Sequence, residues 1–370
     1  MPQVEQNKLK RSTTGLRAFN PERACPGFTL FAPQTGGGKV YLIDLEGRPV
    51  HTWQMPYPPG NYGYLTERGT LFYNGKVAED SGRFISGQPW KGGAVLESDW
   101  NGRVLWEVHH PDHHHDGIRL RNGNVLLLCL SRLAHEIVMR VRGGMPGTEH
   151  TGEMYGDYLV EMTTDEKVVW KWRAWEHLNP EADFITAVQE RREEWTHGNG
   201  LAELPNGNIV VSFRTISTVI IIERATGRII WKLGAPPLSG QHAPAPLPNG
   251  NLLIFDNGPH RLDHPLPFSR VIEVELADKR IVWKYQEKSE SDFFSSRISN
   301  AQRLPNGNTL ICEGDTGRLF EVTNDGELVW EYVNPHFGGP PNAQNNRVFR
   351  TYRYSNEDLA RARTTVALLK

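Results

Sequence analysis

The chain has 370 residues, 38% of them hydrophobic and 23% charged, with a formal net charge of −2. That length is enough for a large core in one or two domains. The balance of charge does not point to nucleic acid or to a membrane surface, and no apolar run reaches the roughly 18 residues of a membrane-spanning helix.

The opening stretch "MPQVEQNKLKRSTTGLRAF" is polar and lacks the apolar core of a signal peptide. Residues 1–26 are therefore read as an N-terminal arm, and the protein as soluble and cytoplasmic. Cys25, Cys129 and Cys312 stand too far apart in sequence to read as a metal or redox pair and are expected to be small buried side chains. With 11 tryptophans and 36 glycines, the composition suggests many strands and tight turns.

A repeat begins at residue 40. Its first copy, "VYLIDLEGRPVHTWQ", is a short strand, a polar turn and a strand bearing Trp53. A degenerate turn, "LTERGT" (Leu65 to Thr70), and the run "TLFY" follow. The second copy, "AVLESDWNGRVLWEV", brings Trp106. Next come the tract "HHPDHHHD" (His109 to Asp116), the turn "LRNGN" and "VLLLCL". An insertion at 133–156 precedes "YLVEMTTDEKVVWKW" with Trp170. A second insertion, 174–193, carries "HLNPEADF" and "TAVQERREE" and is expected to hold a short helix. Then "WTHGN" leads into "LPNGN" at Leu204 and "IVVSF", followed by "VIIIERATGRIIWKL" with Trp231. The cycle recurs from "LPNGN" at Leu247 to Trp283, and from "LPNGN" at Leu304 to Trp330.

Asn-Gly supplies the positive φ that hairpin turns need. The six tryptophans lie roughly 47 to 64 residues apart, near the period of propeller repeats. An all-strand repeat with one aromatic landmark per unit implies an all-β fold, a six-bladed β-propeller over residues 27–355. "RVFRTYRY" (Arg347 to Tyr354) has strand character but no unit of its own. It is expected to complete the first blade, whose inner strand pair is missing, so that N- and C-terminal strands close the ring and leave a tail at 356–370. The six tryptophans should occupy equivalent places, and the insertions should shape a pocket on one face.

The residues ahead of each turn are expected at the mouth of the central channel. Seven positions before the turn leucine stand His113, His197 and Arg297; five before stand His115, Asn199, His242 and Ser299. Arg214 follows one strand run and Asn257 another; Asn300 adds an amide. Gly198 and Gly200 would let a substrate approach the backbone. Most of the histidines of "HHPDHHHD" read as solvated loop residues. The ring of matching offsets predicts one shared site on the axis.

The segment Trp195 to Asn257 resembles the bacterial arylsulfate sulfotransferase family. The resemblance rests on "WTHGN", "VVSFRTISTVIIIERATGRIIWKLG" and "QHAPAPLPNGNLLIFDNG", with "HHDG" at His114 to Gly117 similar to the family's first histidine motif. It extends over about half the chain, from His113 to His260. It implies a six-bladed propeller, no cofactor, and transfer of a sulfuryl group from an aryl sulfate to a phenol through a sulfohistidine. The matching nucleophile is His242, surrounded by His115, His197, Asn199 and Arg214, with Arg214 keeping His242 neutral. Substrate contacts are expected also from His113, Asn257, Arg297 and Asn300. The family's exported members carry a leader and an N-terminal sandwich domain; neither is seen in this sequence. Two other readings stay open at this point. One is a lyase, hydrolase or oxygenase holding Fe, Mn or Zn on His115, His197 and His242; the other is a non-catalytic binding propeller. A homodimer is compatible with either.

Overall fold

A computed structural model of the protein describes residues 13–77, 91–149, 152–262 and 264–368. Residues 1–12 of the expected arm, 150–151 of the first insertion and 369–370 of the tail lie outside them. Among the described residues no helix is long and apolar enough to cross a membrane.

Six antiparallel sheets form six blades, and the first strand of each touches that of the next until the ring closes. These inner strands are Val348–Tyr354, Pro59–Leu65, His113–Arg119, Gly198–Glu203, His242–Pro246 and Asn300–Arg303, for blades one to six. As expected, the C-terminal strand completes the first blade, pairing Tyr354 with Phe28 through to Val348 with Pro33. Only the innermost strand is missing from the N-terminal part, not a strand pair, because Phe28–Pro33 supplies the second. The arm also does more than precede the ring: Gly15–Phe19 adds a fifth strand to the outer edge of blade six. The tail forms a helix, Asn356–Leu368.

The two insertions bridge one another at Gly143 with Ile185 and at Met145 with Arg191. Each holds one four-residue helix, His135–Val138 and Ala174–His177. The "TAVQERREE" stretch, expected to be helical, forms turns and bridges instead.

The "LPNGN" turns join inner to second strands. In the copy at Leu204, the Gly207 N–H donates to Leu204 O at 2.9 Å and Gly207 takes φ +83°. That is the three-residue hairpin loop with a left-handed glycine. The asparagines act through their side chains rather than through positive φ. Asn206 Oδ1 accepts the Asn208 N–H at 3.1 Å, and the other copies repeat this bond.

A second use of asparagine reaches the third strand. Asn124, Asn251 and Asn308 donate to the buried Glu161, Glu273 and Glu321 at 2.6–2.7 Å. Each glutamate lies opposite its blade's tryptophan. The following blade then sends in an arginine. Arg303 reaches Glu273 at 2.9 Å and lies 4.3 Å over Trp283; Arg353 reaches Glu321 at 3.2 Å and lies 4.8 Å over Trp330. Trp231, Trp283 and Trp330 also donate to carbonyls in the outer turn of the next blade, at 2.8–2.9 Å.

Five of the six tryptophans share this place and Trp53 does not. In blade one His51 occupies it, opposite Leu42, while Trp53 sits two residues further on, at the position of Val108 in blade two. The link to the next blade survives the shift, since His51 Nε2 lies 2.8 Å from Trp100 O and Trp53 donates to Asp99 O at 3.1 Å.

On the axis, Arg350 of blade one ties four blades together. Its guanidinium donates to the Tyr62 hydroxyl at 2.7 Å, to Asp116 Oδ2 at 2.8 Å and to Asn199 O at 3.0 Å. Asp116 also accepts from the Tyr62 hydroxyl and the Leu201 N–H. Asp116→Ala should strand the buried guanidinium and lower unfolding stability by about 3–5 kcal/mol in urea titrations. An unchanged midpoint would mean that the node does not hold the ring.

Candidate active site at the histidine end of the axis

The inner strands begin at one end of the axis and finish at the "LPNGN" turns at the other. At the beginning, four of them are kinked by residues in the left-handed region: His115 at φ +48°, His197 at +47°, Ala243 at +48°, and Ile298 with Ser299 at +52° and +89°. The ladders shift register there in blades three, four and five. Such a conformation is strained for non-glycine residues, above all for β-branched isoleucine. It turns the side chains that precede each strand toward a common centre.

His115, His197, Arg214 and His242 come together there. The His115 and His197 rings are 4.6 Å apart, and His115 and His242 both pack on Phe349, at 6.4 and 6.3 Å. His242 is buried and held at both ring nitrogens. Asn257 uses its amide nitrogen on the Ser295 and Ile298 carbonyls, so its Oδ1, 2.8 Å from His242 Nδ1, must be an acceptor. Nδ1 therefore carries the proton, and Nε2 accepts the Ile298 N–H at 3.1 Å. Burial pushes the His242 imidazole well below its ordinary pKa, with Arg214, His197 and Arg350 adding to the shift and Asn257 opposing it. Burial, not Arg214, is thus the main reason that this histidine is neutral. His115 is likewise depressed by burial and by the neighbouring imidazoles.

A chain of polar side chains stands behind His115. Asp157 Oδ1 lies 3.0 Å from His114 Nε2, and His114 Nδ1 lies 2.7 Å from His115 Nδ1. Asp157 is fixed by the Thr196 hydroxyl and the Gly198 N–H. His114 thus stands between the Asp157 carboxylate and His115.

The second insertion closes over Arg214. Glu190 Oε2 is 3.0 Å from Arg214 Nη1 and 3.6 Å from His260 Nε2, while Glu194 Oε2 is 2.9 Å from His197 Nδ1. Burial alone would raise the Glu190 carboxyl, but His260, Arg214 and His197 outweigh it and bring it down to about 2.

Several expected site residues stand elsewhere or act differently. His113 is buried between blades, with Nδ1 accepting the Gly93 N–H at 3.1 Å. Arg297 is 56% exposed and faces Asp315. Asn300 spends both ends of its amide on the Thr351 backbone. Asn199 borders the cluster but donates to Gln241 O. Asn257 positions His242. Gly198 and Gly200 serve packing between blades: a Cβ would meet Asp157 and Leu128 at 2.8 Å in the first case, and Pro244 at 3.1 Å in the second. The "HHPDHHHD" tract is no solvated loop, since His113 to Asp116 are all buried in an inner strand. Glu190, Glu194, His260, Asp157 and Phe349 went unread because nothing in their local sequence marks them. His114 was legible only as part of the tract.

Among the described residues no group of three or more His, Cys, Asp or Glu is placed to hold a metal ion. The alternative set His115, His197 and His242 does not form such a group.

The buried neutral histidines make stability pH-dependent with a definite sign. The unfolded chain takes up protons below about pH 6.5, whereas folded His115 and His242 do not, and His113, depressed mainly by burial, does so only near pH 3. Stability is therefore greatest above pH 6.5 and falls on acidification by up to about 1.4 kcal/mol per unit per histidine. Urea midpoints at pH 7 and 5 measure this. In His113→Gln the dependence should be shallower by one proton.

The chain is similar over its length to several solved structures. A Bacteroides caccae protein of unknown function is 15% identical, with 89% of this chain and 98% of that one covered at a TM-score of 0.53, which speaks for the fold alone. A streptogramin B lyase is 11% identical, with 88% of each chain covered and a TM-score of 0.48. No curated protein sequence matches. The profile of the arylsulfotransferase (ASST) family matches residues 75–335, more than half of the chain, and the protein belongs to that family.

Proposed function

We propose that the protein transfers a sulfuryl group from an aryl sulfate to a phenolic acceptor, with His242 as the residue that carries it. The observation that supports this most is the setting of His242. It is neutral, its Nδ1 proton is fixed by Asn257, and its basic Nε2 lies in the cluster with His115, His197 and Arg214.

In the first half-reaction the Nε2 lone pair attacks sulfur. The bond from sulfur to the aryl oxygen breaks, its electron pair stays on that oxygen, and an imidazole of the cluster supplies the proton. His197, oriented by Glu194, suits that role. The sulfated ring carries positive charge, which its Nδ1–H shares with Asn257 and with Gly240 O, 3.2 Å away. Arg214 faces the sulfuryl oxygens. In the second half a phenol loses its proton to the same imidazole and takes the sulfuryl group, which restores His242.

Two internal contacts must give way first. The Ile298 N–H occupies the attacking lone pair, and Glu190 occupies Arg214. The strained Ile298–Ser299 backbone lowers the cost of the first release. An incoming sulfate displaces Glu190 by replacing one anion with another.

Incubation with para-nitrophenyl sulfate should give a burst of phenol and a sulfated histidine, and His242→Asn should lose both. Arg214→Ala should slow transfer by on the order of 10²–10³. If chelators abolish activity and no modified histidine forms, the reading gives way to a metal-dependent enzyme. A separate expectation concerns Glu190→Gln, which removes the competing charge and should lower KM for the aryl sulfate; a raised KM would show that Glu190 assists binding. Asp157→Asn, which weakens the hold on His114, should shift the pH profile of kcat while the burst survives, whereas a purely structural role would leave that profile in place.

A further inference from the structure

Three blades place an arginine over the tryptophan of the blade before, and the three are not equally satisfied. Arg303 donates to Gly307 O and to the Thr309 hydroxyl as well as to Glu273. Arg353 donates to Cys25 O and the Thr29 hydroxyl as well as to Glu321, which leaves only its Nη2 without a hydrogen-bond partner among the described residues. Arg119, their counterpart over Trp106, has only an ion pair, with its Nε 3.3 Å from Glu97. Its Nη1 is buried and has no hydrogen-bond partner among the described residues. The sequence explains the difference. Blade two carries the degenerate turn "LTERGT", which has no asparagine to offer Glu97. Glu97 takes the Trp106 indole N–H instead, at 3.1 Å.

A cavity of about 660 Å³ opens at this place, at the turn end of the axis and away from the histidines. Its size is that of a small-molecule site. Tyr62, Tyr64, Tyr352 and Tyr354 form aromatic wall, the first three with ring centres 6.1–6.2 Å apart. Arg119 and Arg350 supply the inner cations, and the exposed Arg68 and Arg121 stand at the rim. The Nε of Arg350, a side chain only 4% exposed, makes no close hydrogen bond among the described residues, and the Tyr352 hydroxyl of the same wall interacts with this guanidinium. The carboxylates of the wall differ from these arginines. Glu97 is engaged as above, Glu203 accepts the Arg121 N–H at 2.9 Å, and Glu67 stands exposed at the rim. The buried guanidinium nitrogens left over in this wall are donors, and their natural complement is an oxyanion.

We infer that this cavity is a second binding site, for a small planar aromatic monoanion such as an aryl carboxylate. Its ring lies against the tyrosines and its oxygens meet Arg119 and the Nε of Arg350. The node of Arg350, Tyr62 and Asp116 separates it from the histidine end. The inference does not depend on sulfuryl transfer.

Calorimetric titration of the full chain with para-hydroxybenzoate tests it. Binding should weaken roughly 10- to 100-fold in Arg119→Gln, as for the loss of a charge-assisted hydrogen bond, and Arg119→Lys should recover part of it. Binding should persist in His242→Asn and in Arg214→Gln. A circular-dichroism melt of each variant confirms that it folds. Absence of binding to the wild type, binding unaffected by Arg119→Gln in a folded protein, or binding lost in Arg214→Gln and His242→Asn but kept in Arg119→Gln would overturn the inference. The last result would put the ligand at the histidine end.

Discussion

Three junctions of the ring rest on one contact made between neighbouring blades: a buried glutamate, the tryptophan opposite it, and an arginine sent in by the next blade. Glu321, Trp330 and Arg353 show the full unit. Each component would be unfavourable alone, since a buried carboxylate or guanidinium without its partner carries a desolvation cost of several kcal/mol. Together they fix how far one blade stands from the next. Because the arginine comes from the following blade, the last copy is complete only when the C-terminal strand returns to the ring. Closure is therefore chemical as well as geometric. Arg353 and Arg350, three residues apart on that strand, make respectively the last interblade unit and the axial node.

This logic governs what was legible in the sequence. The turn and tryptophan motifs are written in every unit, so blade number and closure could be read from spacing. What spacing could not show is a shift within a motif. Trp53 looked like the first landmark, but "GRPVHTWQ" aligns with "GRVLWEV" by its turn, which puts His51 in the tryptophan's place. Residues at one offset before each turn likewise seemed equivalent. The inner strands bulge at different points, and a bulge changes which way the next side chain faces. His113 and His197 share an offset, yet one accepts an N–H between blades while the other meets His115 on the axis. The local motifs that resemble the family fared better, because "WTHGN" and "QH" carry their own bulges with them.

The histidine end is closed upon itself in a way that its chemistry makes intelligible. Arg214 faces Glu190 and the lone pair of His242 faces the Ile298 N–H. On the proposed reading both occupants hold places that a substrate would take, Glu190 that of sulfate oxygens and the Ile298 N–H that of an electrophile. A buried cation or a buried lone pair left unmatched would cost folding free energy, so the resting protein satisfies both internally. The occupants come from an insertion and from a strained loop, the two kinds of segment that can move without disturbing the ladders.

The degenerate turn of blade two shows the opposite case, in which a repeat falls short of satisfying itself. Without the asparagine, Glu97 turns to its own tryptophan, Arg119 is left with an ion pair alone, and the wall there recedes into a cavity. Departures from the repeat thus open space at one end, while insertions fill it at the other. The strand Val348–Tyr354 runs between the two, with Phe349 packed on His115 and His242 and Arg350 reaching Tyr62 and Asp116. Adjacent residues of one strand therefore border both ends.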